Sequence, residues 1–517
     1  MQTLVLKTNK MKKLFILIFA LFTQISQSQL PEGYNFNLEI NLNSLLAAQE
    51  YTTSIDFNND GTWLFVTVRS GKLLGFKYEN SAYNHKFTHT IETPTQGERG
   101  LVTVKYNNGK IYLFNTGMPN EYFDSISTTN YLSANRVSQY SFNDGELTFI
   151  KHLSDVYGIG YLHNGGGIAF DDEDYMYSSY GDGGDWTYGN VAQARGIISE
   201  GANINGAYYS AMTRSLGSGK ILRVDPNTGL GHPNNPYYDA NNPDSLESKI
   251  YATGFRNPWR MSWFDGVLYV ADVGATAQET IYAIKQPGVS GAWSFWEGLT
   301  KTNRNQNTIN PDLGVTFGSL LQDPTSFTDI GEFTKFADCL TYGRATNTTE
   351  LPYFENGILK TETANANFDG ASVVGGIIVN DFSPETNGKF LFMDWSRNWL
   401  GLATLGNDRH FEQVDQLGEI STSSITSIVQ NPLDGNIYML NYFRTIYKLS
   451  YEGTLSVPTH EFNYKLATVY YTDITGRKLT YINQAANGLY FAYYEYEGKT
   501  VVRKEILKDG KIINKPF

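Results

Sequence analysis

The chain predicts an all-β protein: a six-bladed β-propeller across residues 35–452, followed by a small β-sandwich across 456–517. Three observations carry this. The composition holds 36 Tyr, 30 Phe and 49 Gly but only 18% charged residues, which suits twisted antiparallel sheet with tight turns and argues against long charged helices. A turn-and-strand unit recurs six times. The pattern then changes after Leu455.

In order, the six copies read NNDGTWLFVTV…GKLLGFKY from Asn58, NNGKIYLFNTG…RVSQYSF from Asn107 and DDEDYMYSSYGDG…GKILRVDP from Asp171. They continue as FDGVLYVADVG…ETIYAIK from Phe264, NGKFLFMDWSR…LGLATL from Asn387 and LDGNIYMLNYF…TIYKLSY from Leu433. Each is an Asp/Asn-rich turn followed by an alternating aromatic strand, which is a hairpin signature. One small antiparallel sheet cannot bury its faces by itself, whereas six arranged radially can. A β-sandwich or two separate β-domains would show turns at similar intervals; six units over roughly 400 residues favour the propeller. The spacing is uneven, with insertions around 186–218 and 285–370, and long loops on a rigid scaffold are where binding sites usually sit.

Ahead of the first copy, Lys12 and Lys13 precede LFILIFALF and then TQISQSQ. This is the layout of an export signal over 1–28, with Met11 as an alternative start. The apolar run is shorter than the ~20 residues that cross a bilayer, and no other segment approaches that length. The expectation is a secreted or cell-surface protein with no transmembrane segment once the signal is removed. Behind the last copy, residues 456–517 alternate, turn at TGRK, NGLY and EGKT, and end in basic residues, as a separate small sandwich would.

The net charge of −12 argues against a nucleic-acid partner, since phosphate binding wants a basic surface. The single cysteine, Cys339 in FADCL, excludes intrachain disulfides and Cys-rich metal sites and reads as a small buried hydrophobe. The seven His are scattered along the chain, which argues against a His-based zinc site.

The most informative stretch runs from His163 to Asp185, HNGGGIAFDDEDYMYSSYGDGGD. A His flanked by Gly is poorly shielded, and the backbone there can approach a ligand closely. The strand YMYSSY returns the chain to the same rim, which would bring Asp182 near His163. An imidazole backed by a carboxylate is a general base. A turn histidine in a solvated loop is the plainer reading of the same residues.

The order of motifs resembles the glucose/sorbosone dehydrogenase family, whose soluble quinoprotein members oxidise sugars. The residues that carry the resemblance run from GERGLVTVKY at Gly97 through HNGGGIAF, YGDGG at Tyr180 and GKILRVDP at Gly219. ATGFRNPWRMSW at Ala252, ADVGATAQETI at Ala271, GGIIVNDF at Gly375 and GKFLFMDWSRNW at Gly388 complete it, covering about residues 40–450. GFRNPWR followed by YVADVG is the most specific part.

The resemblance implies a six-bladed propeller that oxidises an aldose at C1, with pyrroloquinoline quinone (PQQ) over the central axis, a calcium ion beside it, and an external electron acceptor. It casts His163 as general base, Asp182 as its supporting acid, and Glu98 at a position where soluble glucose dehydrogenases carry a substrate-contacting Gln. Arg256 and Asn257 fall on a cofactor-contacting pair, though by itself Arg256 ahead of Pro258 reads as a structural turn residue. Arg397 falls near a cofactor-contacting Lys. Gly274 and Ala275 match backbone carbonyls that ligate calcium. One departure stands out: where soluble glucose dehydrogenases carry two further Arg, this chain has Ser424 and Thr426. Losing two charge-assisted hydrogen bonds of about 1.5–3 kcal/mol each should weaken the hold on a trianionic cofactor. The Hedgehog-interacting-protein-like branch of the same superfamily, a propeller not known as a PQQ dehydrogenase, supplies the alternative of a non-catalytic carbohydrate- or protein-binding module. The tail, with VYYTDITGRKL, Asn487-Gly488-Leu489-Tyr490 and Arg503-Lys504, resembles the sorting domain of the type IX secretion system of Bacteroidetes, which implies contact with secretion machinery.

Overall fold

The computed structural model describes residues 29–117, 133–159, 162–184, 211, 214, 216–294, 296–302, 337–355 and 358–452, and the C-terminal strands within 468–512. The expected export signal and much of both insertions lie outside the described residues. The chain forms two compact units, Met1–Gly453 and Thr454–Phe517.

The first unit is a six-bladed propeller. Blade 1 is built from Thr52–Phe57, Trp63–Val68, Lys72–Glu79 and Ala82–Thr90. Blade 2 is Leu101–Asn107, Lys110–Thr116, Ser133–Asn143 and Glu146–Ile159. Blade 3 is Ile168–Phe170, Met176–Tyr180, Lys220–Val224 and Ile250–Thr253. Blade 4 is Pro258–Phe264, Val267–Asp272, Gln278–Ile284 and Asp338–Gly343, extended outward by Thr349–Glu355 and Ile358–Glu362. Blade 5 is Val373–Ile378, Phe390–Asp394, Trp399–Leu405 and Phe411–Glu419. Blade 6 takes Ile425–Gln430, Ile437–Asn441 and Thr445–Tyr451 from the end of the unit and its outer strand, Tyr34–Asn41, from the beginning.

The six first strands contact one another in a closed ring, blade 1 to 2 to 3 to 4 to 5 to 6 and back to 1. Pairing of Tyr34 with Tyr451 and of Asn41 with Thr445 ties the two ends of the unit together. Each copy visible in the sequence is the second and third strand of one blade. The first strands lie outside those copies; TTSIDF, for one, is buried at every position.

One detail recurs in five blades. The pairing of the first strand with the second slips by one residue near its start, leaving Thr53, Val102, Trp259, Val374 and Thr426 as extra residues. Such bulges re-aim a side chain, and these five all face one cavity on the axis. The residues that follow them, Ser54, Thr103, Arg260, Gly375 and Ser427, face a second axial cavity of about 320 Å³.

The second unit holds one five-stranded antiparallel sheet among its described residues, in the order Lys478–Leu479, Thr468–Asp473, Gly488–Tyr496, Lys499–Lys508 and Lys511–Ile512. The sequence suggests a two-layered sandwich here; the described strands make a single layer. The only helix among the described residues is the four-residue Leu246–Lys249, and none is long and apolar enough to cross a membrane.

Candidate active site

The first axial cavity, about 240 Å³, lies where the bulges of the first strands point. Trp259, Trp395 and Tyr442 give it flat aromatic walls, and Glu98, Arg69 and Asn257 give it polar ones. Beside it, through Glu98 and Asn257, stands the cluster built on His163.

His163 sits on the loop that enters blade 3, with φ of +50°, a conformation uncommon for a non-Gly residue. The loop lies flat on the end of its own blade. A Cβ on Gly181 would stand 1.9 Å from the His163 carbonyl oxygen, so only glycine permits that approach. The backbone N–H of His163 donates to Glu98 Oε2 at 2.7 Å, and Gly165 N–H donates to Asn257 Oδ1 at 3.0 Å. The imidazole meets Asp182 through Nδ1 and Oδ1 at 2.8 Å. Asp182 is 1% exposed and is held by Gly184 N–H at Oδ1 and Trp293 Nε1–H at Oδ2, both at 2.8 Å.

Nε2 of His163 faces Nη2 of Arg256 at 2.8 Å. A guanidinium only donates. Nε2 therefore accepts, the proton resides on Nδ1, and Asp182 accepts it. This is the tautomer that a general base at Nε2 requires. Arg256 is fixed by Nη1 donating to Val273 O at 2.9 Å and Gly274 O at 2.7 Å, and its guanidinium lies over the Trp293 ring at 5.7 Å. The two oxygens of Asp272 accept the backbone N–H groups of Arg256 and Asn257, at 3.0 and 2.6 Å. Burial pushes the Asp272 carboxyl up to about 7, against the lowering by those two N–H donors.

The structure thus brings together His163, Asp182, Glu98, Arg256 and Asn257 from blades 2, 3 and 4. Arg397 is elsewhere engaged: Nε and Nη2 form a two-pronged ion pair with Asp369, at 3.1 and 2.6 Å. Of the two uncharged positions noted in the sequence, Thr426 lines the cavity, while Ser424 turns at φ of +62° and its N–H donates to the carbonyl of Trp395. Trp293, Asp272, Arg69, Trp395 and Tyr442 escaped sequence reasoning. Trp259 and Tyr442 stood inside quoted motifs, but nothing in their spacing assigns them to a cavity.

At the position expected for calcium, the backbone groups already have other partners. The Gly274 carbonyl accepts from both Arg256 and Arg344, the latter at 2.9 Å, which fills both of its lone pairs. Arg344 is paired with the buried Glu279. The N–H groups of Ala275, Thr276, Ala277 and Gln278 all turn toward Glu297 Oε1 at 2.7–3.1 Å, a nest of donors around a carboxylate. No group of three or more His, Cys, Asp or Glu suited to a metal is present among the described residues. Two guanidinium groups on one carbonyl do not fit a calcium ion. PQQ itself fits better: an aromatic-walled cavity lined by Arg69 and Asn257 suits a planar anion with carboxylate and quinone oxygens.

Residues 49–297 match the family described as Glucose / Sorbosone dehydrogenase. Among curated proteins, the HIPL1 protein of Arabidopsis thaliana is 31% identical over 152 residues, 26% of this chain and 19% of that protein. The HIPL2 protein of the same plant is 30% identical over 173 residues, 30% of this chain and 22% of that protein. The chain therefore spans about a fifth of these relatives' length. Among solved structures, a glucose dehydrogenase aligns with a TM-score of 0.54 at 15% identity, covering 81% of this chain and all of that one. The PQQ-bound aldose sugar dehydrogenase of Streptomyces coelicolor aligns with a TM-score of 0.50 at 16% identity, covering 81% and 99%. These structures share the propeller fold with this chain.

Proposed function

We propose that the protein is an exported quinoprotein oxidoreductase that oxidises an aldose at C1 to the lactone. The observation that carries this reading is the Asp182–His163 pair with its acceptor nitrogen held by Arg256, on a propeller whose residues 49–297 match a sugar dehydrogenase family. PQQ, when bound against Arg69, Arg256 and Asn257, would supply the two-electron acceptor. The chain's own residues do the rest. Arg256 releases Nε2 of His163, and that nitrogen takes the proton of the anomeric hydroxyl. Asp182 balances the imidazolium so formed, and its other donors, Trp293 and Gly184, keep it in place. The aromatic surfaces of Trp395 and Tyr442 offer a sugar ring an apolar face, while Glu98 accepts a hydrogen bond from a sugar hydroxyl. An external acceptor collects the electrons, and the C-terminal unit serves as the secretion-machinery contact of an exported chain.

A second reading is supported by the uncharged Thr426 in the cavity wall and by the similarity to the HIPL proteins: a propeller that binds a carbohydrate or protein without turnover. Purified protein given PQQ and aldoses separates the two. The enzyme reading expects saturable quinone absorbance and dye reduction; a protein that takes up no PQQ at micromolar concentration leaves the binding module.

A further inference from the structure

The layer of first-strand residues just beyond the bulges is made of small side chains, Ser54, Thr103, Gly375 and Ser427, with one exception, Arg260. Gly375 makes the room: a Cβ there would stand 3.0 Å from the Arg260 Cβ, and its φ is +102°. The Arg260 side chain crosses the channel and uses all five of its N–H groups. Nε donates to Thr426 O at 3.3 Å, and Nη1 to Thr103 Oγ1 at 2.9 Å and Trp259 O at 3.1 Å. Nη2 donates to Thr53 O at 2.6 Å and Val102 O at 3.3 Å. These acceptors belong to blades 1, 2, 4 and 6, and every one of them is neutral. The nearby acidic group of the second cavity, Asp56, is spoken for by Lys105 at 3.0 Å and by Tyr106 N–H at 2.7 Å. Burial pushes the guanidinium down to about 9, which still leaves it charged at neutral pH.

Four of the residues it grips, Thr53, Val102, Trp259 and Thr426, are the floor of the first cavity. The guanidinium also lies 4.3 Å from the centre of the Trp259 ring, which carries its field through the face that a ligand would touch. A charge enclosed on neutral acceptors costs free energy that a counter-ion recovers.

We propose that Arg260 is the cation beneath the floor of this cavity, a positioning residue whose charge acts across that floor on a carboxylate of the ligand bound above it, while its side chain closes the channel to through passage. The ligand class is a flat polycarboxylate. That this ligand is PQQ rests on the function proposed above; that it is an aromatic polycarboxylate does not.

The test compares wild type with R260K, which keeps the charge, and R260Q, which removes it. PQQ affinity is read by quenching of tryptophan fluorescence, and a parallel thermal-shift series uses pyridine-2,6-dicarboxylate against its neutral diamide. R260Q should bind PQQ about 10-fold or more weakly, R260K should stay within about threefold, and the dicarboxylate but not the diamide should raise the wild-type melting temperature. Equal PQQ affinity in wild type and R260Q, with only a lower melting temperature, would reduce Arg260 to a scaffold bolt and overturn the proposal. If wild type ignores PQQ yet responds to the dicarboxylate through Arg260, the quinoprotein reading fails and the anion floor stands. If it responds to neither anion, the floor falls too. Should R260Q not fold, the pair T426E and T426Q decides without any ligand. A carboxylate placed beside Arg260 should make T426E melt higher than T426Q, and an equal or lower melting temperature would contradict a charge acting across the floor.

Discussion

At the scale of single residues, the chemistry hangs on the state of one imidazole. Asp182 and Arg256 hold its two nitrogens, and together they set the proton on Nδ1. His163→Ala should lower the aldose oxidation rate by ~10²–10⁴ with the fold intact, as checked by circular dichroism and dye-reduction kinetics. Asp182→Asn should also be severe, by about 10³-fold or more, because an amide can donate to Nδ1 and so favour the tautomer with a proton on Nε2. A kcat in Asp182→Asn close to that of wild type would show that the tautomer is not what the site exploits. His163 and Asp182 were legible in the sequence because glycines bracket Asp182 and follow closely on His163, and glycine marks places where backbone must pass backbone. Trp293 was not legible: it lies far along the chain in GAWSFWEG, and only folding brings its indole N–H to Asp182.

At the scale of elements, the bulge at the start of the first strand decides which side chains see the cavity. In blade 3, which lacks the bulge, glycine packed against the His163 loop is the structural requirement. Gly181→Ala would drive a methyl group into the His163 carbonyl, and its effect should fall on the loop that carries the base. Activity should drop by more than about 10-fold while the melting temperature changes by only a few degrees. A large loss of stability with full activity in the surviving folded protein would place the strain elsewhere. The second and third strands were legible because they form the recurring unit, an Asp- or Asn-rich turn leading into an aromatic strand and then its partner. The first strands and their bulges were not, because they fall outside the recurring unit and a one-residue slip leaves no mark in composition. The same slip explains why Arg260 looked like one more charge in GFRNPWRMSW, although it is the large side chain in a layer of small ones.

At the scale of the whole molecule, closure and buried charge govern stability. The outer strand of blade 6 comes from Tyr34–Asn41. Removing residues up to 42 should therefore open the ring and lower the melting temperature by about 10 °C or more, whereas removing 454–517 should leave the propeller's own transition in place. Calorimetry on both truncations distinguishes the two ends. Two enclosed carboxyls add a pH dependence. Burial raises Asp272 from 3.8 to about 7 and Glu279 from 4.5 to about 8, the latter against the pull of Arg344. A carboxyl that holds its proton more tightly in the fold stabilises the fold most at low pH. That stability is lost as pH rises from the unfolded value toward the folded one. The contribution of Asp272 should thus decline between about pH 4 and 7, by up to roughly 4 kcal/mol, and Asp272→Asn should flatten the decline measured by denaturant titration. A wild type that becomes more stable over that range by the same amount as the variant would contradict this.

The central claim is that the axial cavity beside His163 holds an anionic quinone for sugar oxidation. Titration of the purified wild-type protein with PQQ, once with EGTA and once with calcium, followed by aldose and a dye, tests it most directly. Saturable quinone absorbance is expected under both conditions, with dye reduction that vanishes in His163→Ala. Absence of PQQ binding at micromolar concentration under either condition, or dye reduction undiminished in His163→Ala, would contradict it.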